Sequence, residues 1–277
     1  MKASTAIGIA AAVFGLLLGA MMEGSAVGAF INIPAALIVL GGTFGATLAS
    51  TSWEAMKRIP ALYKEAFSSE KPDLSGRVDL LVGLADRARR DGLLALEGEI
   101  EQLDDDFTRK GLQLVVDGTE PELILQVMEN EIDGTSARHA VGRSVFEKAG
   151  GFAPTMGIIG TVMGLVHVLE NLDAPETLGP AISGAFIATL YGVASANVIF
   201  LPVGSRLKHI SEAELALREL TIEGVLAIQA GDNPRIVADK LMAFVPPQER
   251  LAAAPAKGGE ERAPRVAEQP DPVRAAA

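Results

Sequence analysis

Residues 149–203 read AGGFAPTMGIIGTVMGLVHVLENLDAPETLGPAISGAFIATLYGVASANVIFLPV, and this stretch decides the fold. No Lys or Arg occurs between Lys148 and Arg206. A cation at the centre of a bilayer costs roughly 3 kcal/mol or more, so a charge gap of this length marks hydrocarbon. Inside the gap lie two apolar runs, Ala149–Leu169 and Leu178–Val203, parted by Glu170-Asn171-Leu172-Asp173-Ala174-Pro175-Glu176. Each run reaches the ~20 residues that a spanning helix needs. The pair therefore reads as a transmembrane hairpin.

The same signature recurs at the start of the chain. Between Lys2 and Lys57 there is again no Lys or Arg, and the gap holds Ala6–Met22 and Ala29–Ser50, broken by Glu23-Gly24-Ser25. A soluble Leu-rich core would not need runs this long or this free of charge. The first run lacks a small-residue cleavage pattern behind a long basic start and is followed at once by a second span, so it reads as a retained helix. The fold class is thus an all-α membrane protein, four transmembrane helices in a 2+2 arrangement with a helical domain inserted between helices 2 and 3.

Basic residues set the orientation. The hairpin tips carry Glu23, Glu170, Asp173 and Glu176 and no Lys or Arg, whereas Lys57 to Lys148 holds thirteen basic residues and the segment from Arg206 onward holds ten. Both basic segments are predicted to be cytoplasmic, with both chain ends inside. The expected organisation is 1–52 as hairpin 1, 53–148 as a cytoplasmic helical domain and 149–204 as hairpin 2. Cytoplasmic C-terminal helices follow at 205–245, then a tail, 246–277, too poor in large apolar residues to order itself. The chain has no cysteine, which excludes disulfides and Cys-ligated metals. A net charge of −11 argues against nucleic acid as a partner. Membrane lipid is the expected surroundings of the spans.

Within the insert, Trp53–Phe67 reads as one short amphipathic helix. Val78, Leu81, Leu84 and Ala88 then follow a helical stripe that Gly92 should stop. Leu93 to Asp106 reads as a resumed helix, and Thr119-Glu120-Pro121-Glu122 as a capping box opening a helix that runs toward span three. After span four, Arg206–Ala230 is a charged amphipathic helix, and Asn233-Pro234 opens a last short one.

The interiors of the four spans contain no Asp, Glu, Lys or Arg. Membrane ion relays commonly use an intramembrane carboxylate. Either this chain is no ion path, or a partner helix supplies the acid. Pro154, Gly157, Thr161 and Gly164 share one face of span three, and Gly160 with Gly164 forms a GxxxG. Span four carries Gly184, Ala188, Thr189, Gly192 and Ser195. Small residues of this kind let helices approach closely, which accounts for most of the glycines by packing alone. The hydroxyls of Thr161 and Thr189 have two open readings, back-bonding to their own helices or lining an ion path. Pro154 and Pro202 read as helix ends or as paired hinges. His167, near the outer end of span three, reads as interfacial rather than as a relay, and Trp53 and Tyr63 read as interface anchors or surface packing.

Taken in order, these elements resemble the MotA/PomA family of flagellar stator subunits. The likeness rests on Ile38-Val39-Leu40-Gly41-Gly42-Thr43, Arg89-Arg90-Asp91-Gly92-Leu93-Leu94-Ala95-Leu96-Glu97, Gly160-Thr161-Val162-Met163-Gly164, Ala188-Thr189-Leu190-Tyr191-Gly192 and Gly224-Val225-Leu226-Ala227-Ile228-Gln229, followed by Asn233-Pro234-Arg235. It covers about residues 5 to 245. The related ExbB/TolQ proteins share the later hairpin but have three spans, and an ExbB/TolQ-like proton-driven transducer for another envelope process is the alternative reading. The resemblance implies a stator ion-channel subunit and no enzyme. It implies a homo-oligomer, a pentamer, around a MotB/PomB-type one-span subunit that supplies the ion-binding Asp. It also implies contact with the rotor protein FliG. The family's rotor-facing Arg and Glu fall on Arg89 and Glu97, with Arg90 adjacent, and its prolines on Pro154 and Pro202. No cofactor is implied beyond the transported cation, Na+ or H+. Sodium-driven members carry Thr in both pore-facing helices, and Thr161 and Thr189 match. Two departures bear on the ion: Asn32 stands where the family has an acid, and Ala188 where a second Thr is found.

Overall fold

The computed structural model describes residues 2–68 and 71–253, and among them there is no strand. Helix α1 spans Lys2–Met22 and ends in a turn where Gly24 takes φ 81°, a conformation that a Cβ disfavours. A 3-10 turn, Val27–Phe30, leads into α2, Ile33–Ser50. The second span thus starts a few residues later than its apolar run. The reason is local: Asn32 caps α2, its side-chain oxygen accepting from the Ala35 N–H at 3.0 Å, and Pro34 lies in the first turn.

The single amphipathic helix expected at Trp53–Phe67 is two, α3 (Trp53–Lys57) and α4 (Ile59–Ser68). Helix α5, Leu74–Asp91, is capped by Asp73 at 2.9 Å from the Gly76 N–H and ends at Gly92, φ 87°. The helix expected from Leu93 to Asp106 is a 3-10 turn, Leu93–Leu96, and one helical turn, α6 (Glu97–Ile100). Three successive aspartates then favour a cap over a continuing helix, and Asp105 caps α7, Asp106–Val116. Thr119 makes no capping box, because Glu120 takes the cap position with no side-chain bond.

Two helices dominate the molecule. Helix α8, Pro121–Glu170, has 50 residues, and α9, Pro175–Gln229, has 55, so each is roughly 75–80 Å long at 1.5 Å per residue. Among the described residues, four helices are long and apolar enough to cross a membrane: α1, α2, α8 and α9. Only part of α8 and α9 is apolar. Their charged portions pack with α5, α7 and the short α10 (Pro234–Met242) into one hydrophobic core. Leu81, Leu96, Leu112, Ile124, Leu220 and Leu241 are fully buried there. Residues before span three and after span four therefore share a single core rather than forming two separate ones. Asn233 caps α10, accepting from the Arg235 N–H at 3.0 Å. Of the tail predicted to be disordered, Pro247–Ala253 form a last helix, α11, and 254–277 lie outside the described residues.

Polar bonds tie this core at its edges. Arg77 bridges to Asp105 at 2.5 Å and to the Thr108 hydroxyl, and Arg218 reaches Thr135 at 2.9 Å while lying 5.1 Å over the Phe107 ring. Burial works to raise the Asp105 pKa, but bonds from Thr108 and Arg77 outweigh it and hold the carboxyl below its ordinary value. Asp105→Ala removes a helix cap and should cost about 1 kcal/mol. It should lower the midpoint of thermal unfolding of the detergent-solubilised protein, with membrane insertion unchanged. The folded value lies below the unfolded value of about 3.9. The contribution is therefore complete above that pH and is lost as acid protonates the folded carboxylate.

Candidate functional site

Small residues bring α8 and α9 together until their backbones touch. A Cβ on Gly157 would stand 2.9 Å from the Ala188 carbonyl oxygen, and one on Gly192 would stand 2.5 Å from the Ala153 carbonyl oxygen. Only glycine fits at either position. In lipid, where hydrophobic drive between helices is absent, such close van der Waals contact is what associates them.

The two threonines singled out from the sequence meet in this interface. The Thr161 hydroxyl lies 3.1 Å from the Gly157 carbonyl and 3.0 Å from the Ala185 carbonyl, and it is hydrogen-bonded to the Thr189 hydroxyl. Each hydroxyl has one proton to give. Thr161 can satisfy one carbonyl while Thr189 donates to Thr161, which leaves oxygen lone pairs in excess over protons. The result is a cluster of four oxygens in an otherwise apolar seam. Both side chains are half-buried, so the cluster reaches the surface of the protomer. The carbonyl bonds that hold Thr161 thus gather four oxygens at one point of the seam.

Pro154 and Pro202 are not at helix ends. Both lie inside continuous helices, where proline removes the N–H that the carbonyl four residues earlier would use. Before Pro202 the backbone relaxes into a π-helical stretch, Ser195–Phe200. The two prolines sit near one level of the bundle: a Cβ on Gly150 would meet the Leu201 side chain at 2.5 Å.

Arg89, Arg90 and Glu97 are exposed on either side of the Gly92 turn. Arg90 pairs with Asp86 at 2.8 Å, and Arg87, not Arg89, takes Glu99. The side chains of Arg89 and Glu97 have no ion-pair or hydrogen-bond partner among the described residues. They are a separate site, borne by the helical domain and not by the α8/α9 seam of the spans.

One residue escaped the sequence reading. The Tyr191 hydroxyl donates to the Phe30 carbonyl and accepts from the Asn32 N–H at 3.2 Å. Tyr191 thereby pins the turn before α2 to α9, two residues from Thr189. A phenol within an apolar span needs a partner, and that need was the available signal. The half-buried Tyr63 packs, its ring meeting Phe146 edge-on at 5.1 Å. Trp53 is exposed with Lys57 5.7 Å above it, and His167 is exposed beside Asn171 at 3.3 Å.

Fold and site together define a helical membrane protein of the channel type, with no ionised group in its spans. Residues 99–220 match the MotA/TolQ/ExbB proton channel family, and residues 6–92 match the motility protein A N-terminal family. Motility protein A of Bacillus subtilis is 36% identical over 266 residues, which is 95% of this chain and 98% of that protein. Chemotaxis protein PomA of Vibrio alginolyticus is 35% identical over 84% of this chain and 91% of its own. The flagellar MotAB stator complex from Bacillus subtilis contains a chain 37% identical, with a TM-score of 0.85, 91% of this chain covered and 99% of that one. The C. jejuni MotAB structure gives a TM-score of 0.84 at 31% identity, covering 89% and 96%. The chain belongs to the MotA/PomA family of flagellar stator subunits, and it is not an enzyme.

Overpacking a tight seam costs about 1–3 kcal/mol, more where the obstacle is backbone. Gly192→Val should therefore lower the amount of folded protein in membranes and abolish swimming. Gly179→Ala, whose Cβ meets nothing within 4 Å, should leave both near normal. Quantitative immunoblots of membrane fractions beside soft-agar swimming check the pair.

Proposed function

We propose that this chain is the stator subunit that couples cation flow across the bacterial inner membrane to torque on the flagellar rotor, with Na+ as the cation. The observation that carries the reading is the Thr161–Thr189 oxygen cluster in a charge-free seam. Hydroxyl and carbonyl oxygens can replace part of the hydration shell of a hard cation. The carboxylate that would complete the path comes from a MotB/PomB-type partner with one span, which fits the MotAB complexes among the related structures. In this reading five copies of the chain surround the partner, and both chain ends and the helical domain are cytoplasmic. Residues 1–52 and 149–204 form the two membrane hairpins, 53–148 and 205–245 the cytoplasmic helices. Arg89, Arg90 and Glu97 meet the rotor protein FliG, and Pro154 and Pro202 are the hinges between channel and domain.

Three outcomes follow. In liposomes this chain alone should conduct nothing, and co-reconstitution with the partner should give selective cation flux. Robust flux from the single chain would overturn the shared-site reading. Charge reversal at both Arg89 and Glu97 should impair swimming while membrane assembly stays normal. Exposed pairs are worth under about 1 kcal/mol each, so single neutral changes should be mild. For the ion, rotation speed is measured against external sodium at fixed pH and membrane potential. Speed should rise with sodium. Thr161→Ala and Thr189→Ala should weaken that dependence more than the Ser variants, and the double variant should cost less than the sum, since the two hydroxyls share one bond. A flat sodium curve in the unaltered protein would assign the proton instead.

A further inference from the structure

Helix α1 stands apart from the rest of the bundle. None of its apolar stretch is buried, and it leaves a long groove against α9. Two connected cavities make up the groove, of about 510 and 690 Å³, and Val198 lines both. The two ends differ in chemistry. At one end lie Thr5 and Ser4 on α1 with Ser205, Arg206 and His209 on α9. Lys208 adjoins His209 in the chain, and Glu212 sits 3.7 Å from Lys208 and 3.5 Å from His209. Arg206 lines the mouth, so with Lys208 beside it two fixed cations stand against the Glu212 carboxylate. Arg206 also gives one N–H to the Ala66 carbonyl at 3.4 Å. Moving along the groove, the lining becomes mostly apolar, through Gly8, Ala12 and Val198 to Leu17 and Leu190, with Asn197 and Ser195 as polar exceptions. The far end carries Glu23 and Tyr191 and no basic residue.

Depth matches the bilayer. From His209 to Leu190 is nineteen residues of helix, ~28 Å at 1.5 Å per residue, against a hydrocarbon thickness of about 30 Å. A groove with a cationic, hydroxyl-bearing mouth at one bilayer face and an apolar floor through the hydrocarbon is complementary to an anionic amphiphile. The carboxylate at the other end repels the same headgroup, so the groove discriminates between leaflets. We propose that it holds one anionic phospholipid of the cytoplasmic leaflet, its phosphate at Arg206 and His209 and an acyl chain along Gly8, Ala12 and Val198. That lipid would lie directly against Pro202, which lines the groove between headgroup and chain. The leaflet assignment rests on the cytoplasmic placement of Arg206 proposed above.

The test uses the complex of this chain with its one-span partner, in phosphatidylcholine nanodiscs doped with phosphatidylglycerol. Native mass spectrometry should retain phosphatidylglycerol, one per copy of this chain, in preference to phosphatidylcholine. Arg206→Gln should lower that retention about fivefold, the worth of one cation at a lipid surface. Gly8→Phe changes no charge and, because a Cβ at Gly8 meets nothing within 4 Å, fills the groove without a backbone clash; it should lower retention as well. Equal retention of both lipids, or undiminished phosphatidylglycerol in Gly8→Phe, overturns the site. So does a photo-cross-link from a benzophenone side chain at position 12 to protein rather than lipid. The chain has no cysteine, so His209→Cys reports sidedness cleanly with an impermeant maleimide. Labelling from outside the cell overturns the leaflet assignment together with the topology beneath it. Labelling from inside only, with no lipid preference, overturns the lipid site alone.

Discussion

Where Gly157 and Gly192 cross, α8 and α9 approach until backbone atoms of each lie where a Cβ would be on the other. Everything else in the spans is arranged around that contact. Lipid tails are as apolar as Leu, so the seam draws no hydrophobic stabilisation from leaving the membrane environment. It holds by dispersion between closely fitted surfaces and by the few hydroxyls that bond across. The same closeness that removes side chains also exposes carbonyls, and it is the Gly157 and Ala185 carbonyls that Thr161 finds. The oxygen cluster is thus a by-product of the packing.

The contact also governs the helical domain. Because α8 and α9 run on without a break, the distance and rotation set by the glycines persist into the core, where Ile124 and Met128 of α8 meet Leu220, Val225 and Ile228 of α9. Helix α5 packs over them through Leu81, which occupies the space that a Cβ on Gly224 would need. The Arg89–Glu97 surface sits at the end of α5, so its position is referred, through packed side chains, to the seam in the spans.

Much of this was legible in the chain. The two charge gaps located all four apolar helices, because the cost of a bilayer cation is imposed residue by residue and needs no partner to be felt. Gly92 and Asn233 were legible for the same reason: a positive φ and a cap are local demands. What stayed hidden depends on distant residues. Continuity of α8 into span three was legible from the helix opened at Pro121, but that of α9 past Pro202 was not, since a proline argues for an end and only flanking contacts keep the helix going. Thr161 and Thr189 were found as residues, but their bond to one another joins positions 28 apart and follows from the glycine register. The clasp of Tyr191 on Phe30 and Asn32 spans about 160 positions; a phenol in an apolar span signalled that a partner was needed, but not which one. Likewise, three aspartates in a row stopped a helix that the apolar pattern would have continued, because capping outcompeted periodicity at Asp105.

The length of α8 beyond Pro154 has a mechanical meaning. From Pro154 back to Pro121 the helix extends ~50 Å at 1.5 Å per residue, as a stiff rod gripped along much of its course. A bend of only about 5° at the proline would sweep its far end through roughly 4 Å, close to one helical turn. Pro202 lies near the same level on the neighbouring rod, so the two can flex about a common axis while the core between them keeps its shape. If the two prolines are the hinges proposed above, the pair is a lever, and a displacement the size of a hydrogen bond in the seam becomes a larger stroke at the far end of the rod.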